Sequence, residues 1–245
     1  MPRARVKRLA AVAALAAPRA CAAQSELPTL LGAGVRSRPA YDGSDSRQSE
    51  LIPFVRYYGR RWFARTTQGV LEGGVREELA PLFWVGAQVA FEPGRRKSES
   101  PLLEARNEPE LDPGASVGLH VEWDRQFGFL PVNFLIRARQ NLDLDRGGQA
   151  DLRTNVGVYS GHGVLAVLFA QATWGSENAV LSMYGAPNSG LLFTSLGAAA
   201  SYTLGRRWLI FASGEQRRLR DEAAESPVTE RNSASYYSAS LVYRF

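Results

Sequence analysis

Apolar and polar residues alternate in this chain over runs longer than soluble sheets use. Ala115, Val117, Leu119, Val121 and Trp123 alternate with Gly114, Ser116, Gly118, His120 and Glu122. Phe83, Val85, Ala87, Val89 and Phe91 alternate with Trp84, Gly86, Gln88 and Ala90. Leu130, Val132, Phe134, Ile136 and Ala138 oppose Asn133, Leu135, Arg137 and Arg139; Leu152, Thr154, Val156 and Val158 oppose Arg153, Asn155, Gly157 and Tyr159. A period of two sends successive side chains to opposite faces of a strand. Soluble strands are usually about 5 to 6 residues long, whereas these runs are about 8 to 14. A tilted strand needs about 9 to 11 residues to cross a bilayer. No stretch reaches the roughly 18 to 20 apolar residues of a spanning helix.

The connections alternate in length. Short turns are expected at 59–61, 124–126, 160–163 and 205–207, and longer polar segments at 38–49, 93–113, 140–149, 175–190 and 220–234. Short turns at one end and long loops at the other mark an outer-membrane barrel. Strands are expected near 28–37, 50–58, 62–68, 70–77, 82–92, 114–123, 127–139, 150–159, 164–174, 191–204, 208–219 and 235–245. Only 62–77 is ambiguous. As one strand it moves the 93–113 loop to the periplasmic side; split near Gln68-Gly69 it puts every long loop outside and both termini in the periplasm. The expectation is therefore an all-β, antiparallel, up-and-down transmembrane barrel of about twelve strands, with ten or fourteen as alternatives.

The formal charge of +5 invites a nucleic-acid partner until it is located. Arg3, Arg5, Lys7, Arg8 and Arg19 all precede residue 23, where no acid occurs; without these five, the 29 basic residues fall to 24, equal to the 24 acidic ones. A neutral remainder has no generic pull on phosphate backbones, so no nucleic-acid partner is expected. The basic start, the apolar Leu9 to Ala17 and the small Ala20-Cys21-Ala22 read as a secretory signal, 1–23, cut after Ala22 or Ala23. The barrel is then 24–245. Cleavage removes the one cysteine, and with it any disulfide or thiolate chemistry.

At the other terminus Tyr237, Ala239, Leu241, Tyr243 and Phe245 alternate with Ser238, Ser240, Val242 and Arg244. Tyr237, Leu241, Tyr243 and Phe245 resemble the signal read by the barrel-assembly machinery of the outer membrane. In a soluble protein, such a terminal strand would be an aggregation hazard.

Little points to catalysis. His120 and Glu122 share a strand face and could form half of a dyad. Ser116 lies roughly 13 Å along the same strand, too far to serve as nucleophile. His120 is read instead as a lumen residue in a polar network, and His162 as a solvated turn residue. No HExxH, P-loop, paired CxxC or GxSxG motif occurs. No cofactor is expected. Asp42 and Asp45, like Asp143 and Asp145, lack the further oxygens of a calcium loop. Arg56, Arg137, Arg139, Arg153 and Arg244 belong on the lumen face, with Glu122 as counter-charge, because a lipid-facing charge costs about 2 to 4 kcal/mol at mid-depth. They either set the selectivity of a pore or fill the lumen as a salt-bridged plug; the plug is preferred. Trp62, Trp123, Trp174 and Trp208 fall near strand ends, as an interfacial aromatic belt requires.

Leu31-Gly32-Ala33-Gly34-Val35, then Pro39-Ala40-Tyr41-Asp42-Gly43-Ser44-Asp45, Met183-Tyr184-Gly185-Ala186, Trp208, Arg218-Leu219-Arg220-Asp221 with Glu225-Ser226-Pro227-Val228, and the closing Tyr243-Arg244-Phe245 resemble, in order and spacing, the MipA/OmpV family. The chain departs around Met183, where the family has a fuller Tyr-Phe-Gly-Val type motif, and in its 93–113 loop. The resemblance implies an outer-membrane barrel in contact with outer-membrane lipid. Some members are scaffolds joining a murein lytic transglycosylase to a bifunctional penicillin-binding protein; others act in osmotic response or adhesion. No binding residue carries over. The resulting expectation is a non-enzymatic envelope scaffold. The alternatives are a narrow outer-membrane channel, an osmotic-response or adhesion protein, and an outer-membrane hydrolase using His120.

Overall fold

The computed structural model describes residues 28–245, so the expected leader 1–23 and its cleavage site lie outside the described residues. The first half of the wall is β1 (Leu30–Pro39), β2 (Arg47–Tyr58), β3 (Trp62–Thr67), β4 (Val70–Ala80), β5 (Phe83–Glu92) and β6 (Gly114–Phe127). The second half is β7 (Leu130–Asn141), β8 (Gly148–Gly161), β9 (Val164–Gly175), β10 (Gly190–Leu204), β11 (Trp208–Leu219) and β12 (Ser233–Arg244). Each strand pairs antiparallel with its chain neighbours, and β1 pairs with β12 to close the barrel. Closure answers the demand of a medium without water, where every backbone group needs a protein partner.

The ambiguous segment is two strands. Gln68 and Gly69 turn between them with φ of 52° and 82°, the positive values a two-residue hairpin turn uses. The count is therefore twelve, and the start of β1 and the end of β12 share the short-turn end. One turn differs from expectation. The ladder between β6 and β7 continues past 124–126 to Phe127 opposite Leu130, and the chain reverses at 128–129. Extending the strands keeps backbone groups paired. In β8 a bulge shifts the register between Gly157 and Tyr159, setting Tyr159 opposite Ala166. The extra residue breaks the alternation, so Tyr159 leaves the face it would otherwise share with Arg153 and Asn155. Its hydroxyl lies 3.0 Å from Nδ1 of His162, which is exposed in the turn as expected.

Leu51, Leu119, Ile136 and Leu196 stand exposed on the outer wall, and the buried charged side chains, among them Glu72, Glu122, Arg137 and Asp151, point inward. At the long-loop end lie three short helices, α1 (Pro101–Ala105), α2 (Glu177–Tyr184) and α3 (Asp221–Glu225). Val180 and Tyr184 of α2 and Ala223 of α3 pack with Leu192, Phe193 and Leu219 of the wall, and Leu103 of α1 packs with Ala40 and Tyr41. The wall is thinnest between β2 and β3, where only Arg56 to Tyr58 find ladder partners, opposite Arg65 to Phe63. Above them Val55 N–H donates to the side-chain oxygen of Thr66 at 3.3 Å. Pro53, which has no N–H to offer, falls on this seam, a position that suits proline.

Candidate functional site

The lumen holds the chemistry, and its filling starts with a hairpin. Arg65 and Glu72 are equidistant from the turn at Gln68-Gly69 and face each other across β3 and β4. Glu72, only 1% exposed, accepts from Arg65 Nε, from Arg137 Nη1 at 2.6 Å, from Gln88 Nε2 at 3.0 Å and from Thr67 Oγ1 at 3.1 Å. Arg65 Nη1 donates to Glu122. Arg137 Nε donates to Asp151 at 2.8 Å, and Thr173 Oγ1 donates to the same carboxylate at 2.7 Å. Arg139 bridges Glu92 at 3.0 Å and Asp151 at 3.5 Å. Burying charges is costly unless they are paired and hydrogen-bonded. Here each carboxylate meets at least one guanidinium, and the connected set rigidifies the half of the lumen it fills.

Five residues are expected on the lumen face: His120, Glu122, Arg137, Arg139 and Arg153. His120, Glu122 and Arg137 are buried, and Arg139 and Arg153 are largely covered. The assignment of Glu122 as counter-charge to Arg56, Arg137, Arg139, Arg153 and Arg244 is corrected: it serves Arg65, while Glu72, Asp151 and Glu92 serve Arg137 and Arg139. Arg65, Glu72 and Asp151 are absent from the residues expected here, although splitting 62–77 at Gln68-Gly69 makes Arg65 and Glu72 a cross-strand pair by counting alone. Arg153 lies over the Phe169 ring at 3.9 Å and donates to Gln171 at 3.1 Å. His120 meets Phe63 edge to face at 5.0 Å, and a Cβ on Gly86 would collide with its ring. Ser116 donates to Glu92 at 2.8 Å. The structure therefore packs His120 against an aromatic ring and engages the serine of its own strand elsewhere.

A lid of polar contacts closes the long-loop end. Asp42, on the β1–β2 loop, accepts from Arg217 Nη1 at 2.5 Å and from the Tyr236 hydroxyl. Gln68 reaches across the lumen to Glu215 at 2.8 Å. Burial works to raise the Asp42 carboxyl, but the Arg217 charge, the hydrogen bonds from Tyr236 and Arg217 and the nearby Arg36 together outweigh it, so the group titrates below the ordinary range. Its contribution is present above the carboxylate's unfolded pKa and is lost as pH falls through the lowered one.

Below the lid, beside the charged network, is a chamber of about 760 Å³ that reaches the short-turn end. Its lining is apolar on one side: Leu30, Leu209 and Val242 form a buried cluster joined by Phe54 and Phe211, whose rings lie 5.0 Å apart. A barrel lumen is ordinarily polar, and alternation alone does not flag this side. The signal lies in β2 and β11, where Ile52 and Phe54 fall between Leu51 and Val55, and Leu209 and Phe211 flank Ile210. Strands apolar on both faces meet apolar surroundings on both.

Tyr237, Leu241, Tyr243 and Phe245 all lie on the outer face of β12 or just past its end. Trp208, Tyr243 and Phe245 stack edge to face at 5.1 and 4.9 Å around the short-turn rim. Trp62, Trp174 and Trp208 are exposed outward, whereas Trp84 is buried inside.

Comparison with curated protein sequences gives no match. Among solved structures the fold is similar to an outer membrane channel from Pseudomonas putida, at 11% identity over 89% of this chain and 96% of that one, with a TM-score of 0.55. That likeness shows the fold, a barrel of outer-membrane type. LpxR from Salmonella typhimurium is a more distant match, at 9% identity over 87% of this chain and 100% of that one, with a TM-score of 0.44. The model of the family described as MltA-interacting protein MipA matches residues 31–245, from the first strand to the last residue, and the chain belongs to that family.

Proposed function

We propose that this barrel is a non-enzymatic scaffold of the outer membrane whose short-turn, periplasmic face holds murein enzymes, a lytic transglycosylase and a penicillin-binding protein, in one complex. The family match over 31–245 carries the reading, because the family is described by its interaction with MltA. The salt-bridged half-lumen and the Asp42–Arg217 lid favour a static barrel over a channel. A photo-crosslinker at Arg60 or Arg206, in the short turns, is expected to capture both enzymes in intact cells. If neither is captured, the reading is overturned. A steady open-channel conductance in planar bilayers would support the channel instead, and lipid-ester hydrolysis abolished by His120→Ala would support the hydrolase.

The outward series Tyr237, Leu241, Tyr243 and Phe245 is proposed as the assembly signal. Phe245 is 70% exposed at the rim, and it follows the strand that must close on β1. Its deletion is expected to lower outer-membrane abundance at matched synthesis, read by blotting fractionated membranes. Wild-type abundance of the deletion would remove the terminal residue from the signal.

A further inference from the structure

The chamber has a chemistry that scaffolding does not use. Arg56 and Arg244 are both set opposite Leu30, one on each neighbouring strand, and both line the chamber. They are close enough for one charge to act on the other. Their ε-nitrogens are buried without a hydrogen-bond partner, and among the described residues neither arginine has an ion pair. The carboxylates that share the chamber are engaged elsewhere: Glu122 by Arg65, Glu215 by Gln68 and Arg217, and Asp124 by Asn133. Two adjacent, unneutralised guanidiniums with buried donors are costly as they stand, and a carboxylate or phosphate is the group their fork geometry fits.

Next to them runs the apolar wall of Leu30, Phe54, Leu209, Phe211 and Val242. The chamber's volume, about 760 Å³, falls within the roughly 300 to 1,000 Å³ of small-molecule sites. It also reaches the seam between β2 and β3, where Val55 and Thr66 join its lining. Backbone left without a ladder partner is tolerated at membrane depth where it lines a cavity.

We propose that the chamber binds a single-chain amphiphile with an anionic head, the head on Arg56 and Arg244 and the chain along Phe54, Leu209 and Phe211. The head chemistry is shared by a fatty acid and by a lysophospholipid, and the test separates them. A photoreactive diazirine derivative of hexadecanoate, added to the folded barrel in amphipol, is expected to label Phe54, Leu209 or Phe211 saturably. Hexadecanoate should compete, and hexadecyltrimethylammonium should not. Stronger competition by lysophosphatidylglycerol than by hexadecanoate assigns the lysophospholipid; the reverse assigns the fatty acid. The double variant R56Q/R244Q should weaken labelling about tenfold or more, since it removes both charged donors from the anionic head, and R56K/R244K should retain part of it. Labelling confined to the outer belt, equal competition by the cation, or undiminished labelling of a heat-modifiable R56Q/R244Q barrel overturns the proposal. If that variant does not fold, competition on the unaltered barrel decides.

Discussion

Glu72→Ala is expected to lower the free energy of unfolding by about 3 to 5 kcal/mol. Among the described residues Glu72 is the one carboxylate shared by Arg65 and Arg137, and it also takes Gln88 and Thr67. Removing it leaves two guanidiniums facing each other in a closed space. Arg65 is then left with Glu122 and Arg137 with Asp151, so the energy lost is that of the repulsion between the two guanidiniums and of the buried donors left without Glu72. Glu122→Ala should cost less, because Arg65 keeps Glu72. The measurement is urea unfolding of the barrel in lipid vesicles, followed by tryptophan fluorescence and heat-modifiability. A second variant guards the interpretation. Replacing Glu72 and Arg137 together by methionine removes both charges and should recover much of the loss, as apolar substitution of a buried pair often does. If Glu72→Ala unfolds at the urea concentration of the unaltered barrel, the network does not hold the lumen together.

Leu119→Arg is expected to impair assembly and to cost about 2 to 4 kcal/mol in barrels that do form. Leu119 sits near the middle of β6, 68% exposed on the outer wall, opposite Ala87 on one side and Ala138 on the other. Small neighbours leave a cation there nothing to pair with, and near the bilayer midplane it has the longest path to water. Its neighbour His120, 3% exposed, is the inward control. Phe63 and Gly86 leave no room for an arginine at 120, so His120→Gln is the suitable substitution, and it should assemble better than Leu119→Arg. The yield of heat-modifiable barrel from fractionated membranes measures both. Equal yields would reverse the face assigned to β6.

Much of the wall is legible in the order of the residues. The alternation of 114–123 puts His120 and Glu122 inside and Leu119 outside, and parity around Gln68-Gly69 brings the count to twelve. These are local properties, set by the two-residue pleat and by turn chemistry. Failures of the same reasoning are local too. The bulge at Val158 moves Tyr159 off the expected face, and the strand pair running on to Phe127 and Leu130 moves a turn by a few residues. The partners of the charges are another matter. Arg137 meets Glu72 from a position 65 residues away, and Arg56 and Arg244 approach each other only because β1 is shared between β2 and β12. Sequence alone determined an antiparallel barrel of about twelve strands, with its long loops and most of its short turns in place. Only the tertiary structure decided that one side of the lumen is a salt-bridged plug and the other a part-apolar chamber with two arginines that, among the described residues, have no ion-pair partner. The pleat dictates which way a side chain points, whereas strand number, tilt and stagger decide which inward side chains come within reach of one another.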